Sequence, residues 1–151
     1  MKKIKKGLAL LLALCVICFS GCSIMDDMKE GMLQAVNVTE KFCDAIVKND
    51  LSTAKKYLHQ NSTPSAENLA NYIFQLEKTY NIDFSDGISF KQRVSFEISY
   101  YHSYYGGSVY SNTYKTTVGE TEIYLVFIVV KIDDVYTLHE FGVEEFFATY
   151  A

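Results

Sequence analysis

Val94-Ser95-Phe96-Glu97-Ile98-Ser99-Tyr100-Tyr101-His102-Ser103-Tyr104-Tyr105-Gly106-Gly107-Ser108 is the stretch that decides the fold. Val94, Phe96, Ile98, Tyr100, His102 and Tyr104 alternate with Ser95, Glu97, Ser99, Tyr101, Ser103 and Tyr105. A period of two is the mark of a strand with one face buried. Gly106-Gly107 then reads as a two-residue hairpin turn, since glycine reaches the positive φ that such turns need. That turn sets a register in which Tyr105 faces Ser108, Tyr100 faces Thr113 and His102 faces Ser111. Phe96, Ile98 and Tyr100 are expected on the inner face, and Tyr101, Tyr110 and Tyr114 on the outer one.

Downstream, residues 120–132 carry the run Ile123-Tyr124-Leu125-Val126-Phe127-Ile128-Val129-Val130. It is apolar on both faces and far too short to span a bilayer, so a central, doubly covered strand is expected. Asp133-Asp134 is a second tight turn. Val135 to Phe141 returns antiparallel and sets His139 opposite Ile128. Gly142 to Tyr150 fits either a last strand or a closing helical turn.

Upstream the period changes. Leu33, Val36, Phe42, Cys43, Ile46 and Val47 recur at helical spacing over 32–48. Asp50 suits an N-cap for a second, short helix over 51–59, packed through Leu51, Ala54, Tyr57 and Leu58. Gln60-Asn61-Ser62 reads as a loop. Thr63 with Pro64 then suits the start of a third helix, because proline at the first helical position forfeits no hydrogen bond. Leu69, Ile73, Leu76 and Tyr80 form its inner stripe with Tyr72 beside it, and Asn81 ends it. The expectation is an α+β fold, with three N-terminal helices packed on a curved antiparallel sheet of about four strands.

The stretch Phe42-Cys43-Asp44-Ala45-Ile46-Val47-Lys48-Asn49-Asp50-Leu51-Ser52-Thr53-Ala54-Lys55-Lys56-Tyr57-Leu58 is similar to the opening of nuclear transport factor 2-like domains. There a first helix ends in a polar-Asp turn, and the second carries Ala and an aromatic-Leu pair. The resemblance covers about residues 32 to 142 and implies a cone closed by a third helix and a curved sheet. It looks especially like the small bacterial lipoproteins of that superfamily that lack an assigned function. Enzymes of the superfamily use the open end of the cone for acid–base chemistry. The corresponding candidate pocket here is Tyr72, Tyr100, His102, Tyr124 and His139.

The first residues address the protein. Lys2, Lys3, Lys5 and Lys6 precede an uncharged, mostly apolar run from Gly7 to Ser20. A basic head, a short apolar core and small residues before a cut site make an export signal. Phe19-Ser20-Gly21-Cys22 resembles the lipobox of bacterial lipoproteins, with Phe19 where leucine is usual. The resemblance implies diacylglyceryl transfer to the Cys22 thiol and cleavage before it. Acyl chains of the palmitate kind hold a protein stably at a membrane when two or more are present. The expected organisation is a signal peptide over 1–21, a lipidated Cys22 with a polar tether over 22–31, and one α+β domain over 32–151. The expected location is the extracytoplasmic face of the cell membrane.

Processing removes four of the 14 basic residues and none of the 18 acidic ones, leaving a net charge of about −8. An acidic surface disfavours nucleic acid, whose phosphates require Lys and Arg. Cys15 and Cys18 leave with the signal. With Cys22 acylated, Cys43 has no partner and is expected to be a buried thiol acting as a small hydrophobe. His59, His102 and His139 lie far apart in sequence, and no zinc, calcium or phosphate-loop spacing is present. No cofactor, metal or catalytic residue is expected.

Tyrosine is the compositional outlier, with all 12 residues beyond the signal. Tyr101, Tyr105, Tyr110 and Tyr114 form the candidate partner-binding surface, because tyrosine offers wide contact area at low entropy cost. Its partner would be an envelope protein, an extended peptide or a glycan, and the same rings would allow a homodimer through the sheet. The function expected is non-catalytic binding or scaffolding at the cell envelope. The alternatives are a small-molecule or enzymatic pocket in the cone, and an immunity-type protein that masks a toxin by charge.

Overall fold

The computed structural model describes residues 26–144. The signal peptide, Cys22, the start of the tether and residues 145–151 lie outside the described residues. The chain divides into two units, Met1–Leu33 and Gln34–Ala151. In the first unit residues 26–33 are helical, with 26–30 exposed. Leu33, expected on the buried stripe, is 63% exposed.

The second unit is α+β. It opens with a helix over 34–47 (α1), whose Ala35, Val38, Phe42, Cys43, Ala45 and Ile46 are buried. Asn49 takes a positive φ and ends it. Asp50 then caps α2 (Leu51–Ala54), its carboxylate accepting from the Thr53 N–H at 3.0 Å. One 3₁₀ turn, Lys55–Tyr57, follows.

The expected second helix stops there. Leu58–Thr63 is a strand, β1, where a helix end and a loop were expected. Thr63 therefore does not cap a helix, and Pro64 does not begin one. The third helix, α3, runs Leu69–Tyr80 from an Asn68 N-cap. Its inner stripe is as the spacing predicts: Leu69 and Ile73 are buried, and Tyr72, Leu76 and Tyr80 pack against the core. Asn81 closes α3 in the left-handed conformation. Asp83 caps a 3₁₀ turn, Phe84–Asp86.

Four antiparallel strands complete the sheet: β2 (Ile88–His102), β3 (Gly107–Val118), β4 (Thr121–Ile132) and β5 (Val135–Val143). The order is β1-β5-β4-β3-β2, with β1 parallel to β5. The sheet is thus mixed and five-stranded rather than antiparallel and four-stranded. One of its faces carries Val118, Ile123, Leu125, Phe127, Val129, Leu138 and Phe141, which share a core with α1 and α3. Phe141 is the hub of that core. Its ring lies 5.2 Å from Phe42 of α1, 5.4 Å from Phe127 of β4, 6.1 Å from Phe84 and 6.3 Å from Tyr72 of α3.

Two register expectations change. Ile98 faces Tyr110 and His102 faces Gly107, so the hairpin loop is the four residues Ser103–Gly106. Three irregularities in β2, one of them between Ser99 and His102, shift the pairing from that expected at Tyr100 and His102. An extra residue in one strand turns the side chains beyond it to the other face. On β5 the expected register holds from Val135 to Leu138. A bulge follows, and Ile128 faces Glu140 instead of His139.

Candidate functional site

Tyr104, Tyr105, His102, His139 and Glu140 meet at the β2–β3 loop. Gly106 has φ +73°, and a Cβ on Gly107 would run into the Lys131 carbonyl oxygen. The glycine pair is needed for a left-handed turn and for a close approach to β4. The Tyr105 and Gly106 N–H groups both donate to the His102 carbonyl, at 3.1 and 2.9 Å, which fixes the turn.

From this turn Tyr105 reaches β5. Its hydroxyl donates to Glu140 Oε1 at 2.8 Å, and its ring meets the His139 ring edge-on at 4.7 Å. Since β4 lies between β3 and β5, the loop side chain crosses β4 on the face away from the helices. There Val109 and Val130 face each other, buried although they stand outside the main core.

The β5 bulge delivers His139 to the same place. Its ring stacks on His59 of β1 at 5.3 Å, and Tyr104 approaches it at 6.4 Å. His102 lies 5.0 Å from Tyr105. His102 and His139 therefore both meet Tyr105, and His59 stacks on His139, although the three are far apart in sequence.

The electrostatics follow from burial. His139 is 6% exposed, and its Nδ1 has no hydrogen-bond partner. Desolvation and the neighbouring His59 lower its pKa, and Glu140, 3.9 Å away, opposes them in part. His139 is held neutral at pH 7. Burial and the Glu140 carboxylate push the Tyr105 phenol up to about 12, so it stays a donor. His59 Nδ1 accepts the Asn61 N–H at 3.1 Å.

The four tyrosines of the expected surface do not share one face. Tyr101 is 71% exposed, but Tyr110 is buried and Tyr114 packs against the core beside Phe90 and Phe127. Both alternate with outward residues of β3 and face the helices, so the expected outer-face placement is corrected. Tyr105 is half-buried in the histidine cluster. Tyr100 and Tyr104, 59% and 77% exposed, stand with Tyr101 at the hairpin end. Three of the large hydrophobic side chains most exposed among the described residues thus fall within five residues of sequence.

The five pocket candidates are not brought together either. Tyr100 and His102 are exposed at the hairpin end. The Tyr72 hydroxyl donates to the Phe141 carbonyl at 2.8 Å. Tyr124 faces Lys115 on the sheet face away from the core. Only His102 and His139 meet, through Tyr105. A cavity of about 330 Å3 lies elsewhere, among Ile46, Leu51, Ile73, Phe74, Glu77 and Asp83, and holds none of the five.

His59, Tyr104 and Glu140 belong to the site and were not expected there. Tyr104 carried a usable signal, since it precedes the glycine pair at a strand end. His59 carried none, because it reads as the end of the second helix, with a polar loop after it, rather than as a strand. Among the described residues no three His, Cys, Asp or Glu side chains are grouped to hold a metal. Cys43 is buried, and burial raises its thiol pKa far above the ordinary range, with Asp44 and Glu40 adding to it. Comparison with known protein families, curated proteins and solved structures returns no match.

Proposed function

We propose that this protein is a bacterial lipoprotein, anchored through Cys22 to the outer face of the cell membrane, and that it works there as a non-catalytic binding module. The contact surface is the β2–β3 hairpin end, with Tyr100, Tyr101 and Tyr104. Their exposure is the observation that carries this reading: three aromatic rings within five residues stand in water, at the end of β2 and in a turn fixed by its own hydrogen bonds and by Tyr105, and such rings offer contact area at low entropy cost.

Residues 99–108 contain no Lys or Arg, and Lys115 is paired with Glu122 at 2.9 Å. Lys131, opposite Ser108, is likewise paired, with Asp134 at 2.8 Å, and a surface of rings whose nearby cations are neutralised suits a neutral partner, either the sugar rings of a cell-wall glycan or an extended envelope peptide. The order of helix, short helix, strand, helix and four antiparallel strands supports the nuclear transport factor 2-like reading of the domain.

The test is capture. The full chain is incubated with purified peptidoglycan and, separately, with an envelope extract. Binding to either should be lost in Tyr100→Ser/Tyr101→Ser/Tyr104→Ser with the melting temperature kept. Binding that survives the triple substitution refutes the assignment of the surface.

A further inference from the structure

We infer that the stacked imidazoles of His59 and His139 beneath Tyr105 form a proton-operated latch: acid releases the Ser103–Gly106 loop from β5 and turns Tyr105 outward beside Tyr100, Tyr101 and Tyr104. The inference deepens the reading of the hairpin end as a contact surface and rests on it for its purpose. The latch itself can be observed without a partner.

The geometry is that of a buried imidazole under a loop whose Tyr105 is tied to β5 by a side-chain hydrogen bond. Glu140 Oε1 accepts the Tyr105 hydroxyl at 2.8 Å and lies 3.9 Å from the partnerless Nδ1 of His139. A proton on that nitrogen puts a charge into a site closed off from water, packed against the Tyr105 ring and with the nearest carboxylate oxygen beyond hydrogen-bond distance. Lifting the loop breaks the Tyr105–Glu140 bond and lets water reach that charge. The His59 ring stacked 5.3 Å away offers His139 no acceptor either, since its Nδ1 takes the Asn61 N–H.

The titratable groups around His139 come from every side. They are His59 on β1, Glu140 on its own strand, Tyr104 and Tyr105 on the loop, and His102 behind Tyr105. β4 contributes only Ile128 and Val129 at the bulge. Glu140 is the one carboxylate of the group, and its Oε1 stands 3.9 Å from Nδ1, beyond hydrogen-bond distance. Lifting the loop hydrates His139, so the open form binds the proton more readily, and acid favours opening.

An imidazole in water titrates near 6.5, which bounds the effect. If only the open form is protonated, opening is favoured by at most about thirtyfold between pH 7.5 and pH 5.0.

Amide hydrogen exchange of the full chain, corrected for intrinsic rates, reads this directly. Protection of the Tyr105 and Gly106 amides should fall by up to about thirtyfold from pH 7.5 to pH 5.0, while that of Leu125 and Phe127 stays constant. In His139→Gln the fall should vanish. If that variant does not fold, His59→Gln should reduce it. Equal protection at both pH values in the natural protein, an undiminished fall in the substituted one, or a parallel loss at Leu125 and Phe127 overturns the latch. A loop that opens without any partner being captured leaves the latch standing and removes the binding reading. Capture at both pH values with the loop closed does the reverse.

Discussion

Replacing Phe141 by alanine should cost this domain a large share of its stability. Phe141 is 3% exposed and touches a ring from α1, from β4, from the Phe84 turn and from α3. Its side chain is where the helices and the sheet share one core. Truncating a buried phenylalanine costs about 3–5 kcal/mol, as lost transfer energy plus an unfilled cavity. Four rings cannot all move into the gap without breaking their own packing, so a value near 4 kcal/mol is expected. The Tyr72 hydroxyl bonds the Phe141 backbone carbonyl, so that contact survives the substitution. At a urea slope of about 2 kcal/mol per molar, the midpoint should fall by roughly 2 M. The melting temperature should drop by roughly 15 °C. Against a typical stability of about 5–15 kcal/mol the variant is marginal, and Phe141→Leu, at about 1–2 kcal/mol, provides a folded companion. The exposed Phe74→Ala is the control and should change stability by less than about 0.5 kcal/mol. Urea unfolding followed by circular dichroism measures all three. A loss below about 1 kcal/mol for Phe141→Ala, or one equal to the Phe74 control, refutes Phe141 as the joint of the core.

Four further outcomes are expected. Tyr105→Phe removes a hydrogen bond to a carboxylate at a partly exposed site and should lower stability by about 1 kcal/mol in urea unfolding at pH 7.5. The folded-state pKa of His139 lies below its unfolded value of 6.5, so the unfolded chain binds the extra proton between the two. Stability should therefore be complete above about pH 6.5 and fall as the pH drops toward the lowered value, and His139→Gln should flatten that part of the profile. Asn112 is fully buried, and both atoms of its amide lack a hydrogen-bond partner, so Asn112→Leu should be neutral or stabilising by about 1 kcal/mol, and a clear loss of melting temperature contradicts this. The Cys43 thiol should resist an aromatic disulfide reagent in the native protein at pH 8 and react once the chain is unfolded.

The α+β class was readable because its strongest elements obey one period each. Leu69, Ile73, Leu76 and Tyr80 mark α3, and the apolar run through Leu125 and Phe127 marks β4. Asp50, Asn81 and Asp133-Asp134 punctuate the chain where the structure places a cap or a turn. β1 was hidden because Leu58-His59-Gln60-Asn61-Ser62-Thr63 lies at a sheet edge and buries only Ser62. An edge strand half in water has little need of alternation, and its parallel pairing with β5 is not local. The candidate surface was half legible for a related reason. Alternation was followed without interruption from Val94 to Tyr104, but irregularities in β2 shift its pairing with β3. That shift moved Tyr110 and Tyr114 inward and left Tyr100 in water. The histidine cluster depends on a β5 bulge, a parallel edge and a loop crossing one strand, three long-range features with no local sequence sign.

Tyrosine nitration in intact cells that produce the protein tests the central claim most directly. Nitration marks accessible phenol rings, and peptide mass spectrometry locates them. If the hairpin end is held by an envelope partner, Tyr100, Tyr101 and Tyr104 are modified readily in the purified protein and protected in the cells. Equal modification of the three rings in both settings contradicts the account.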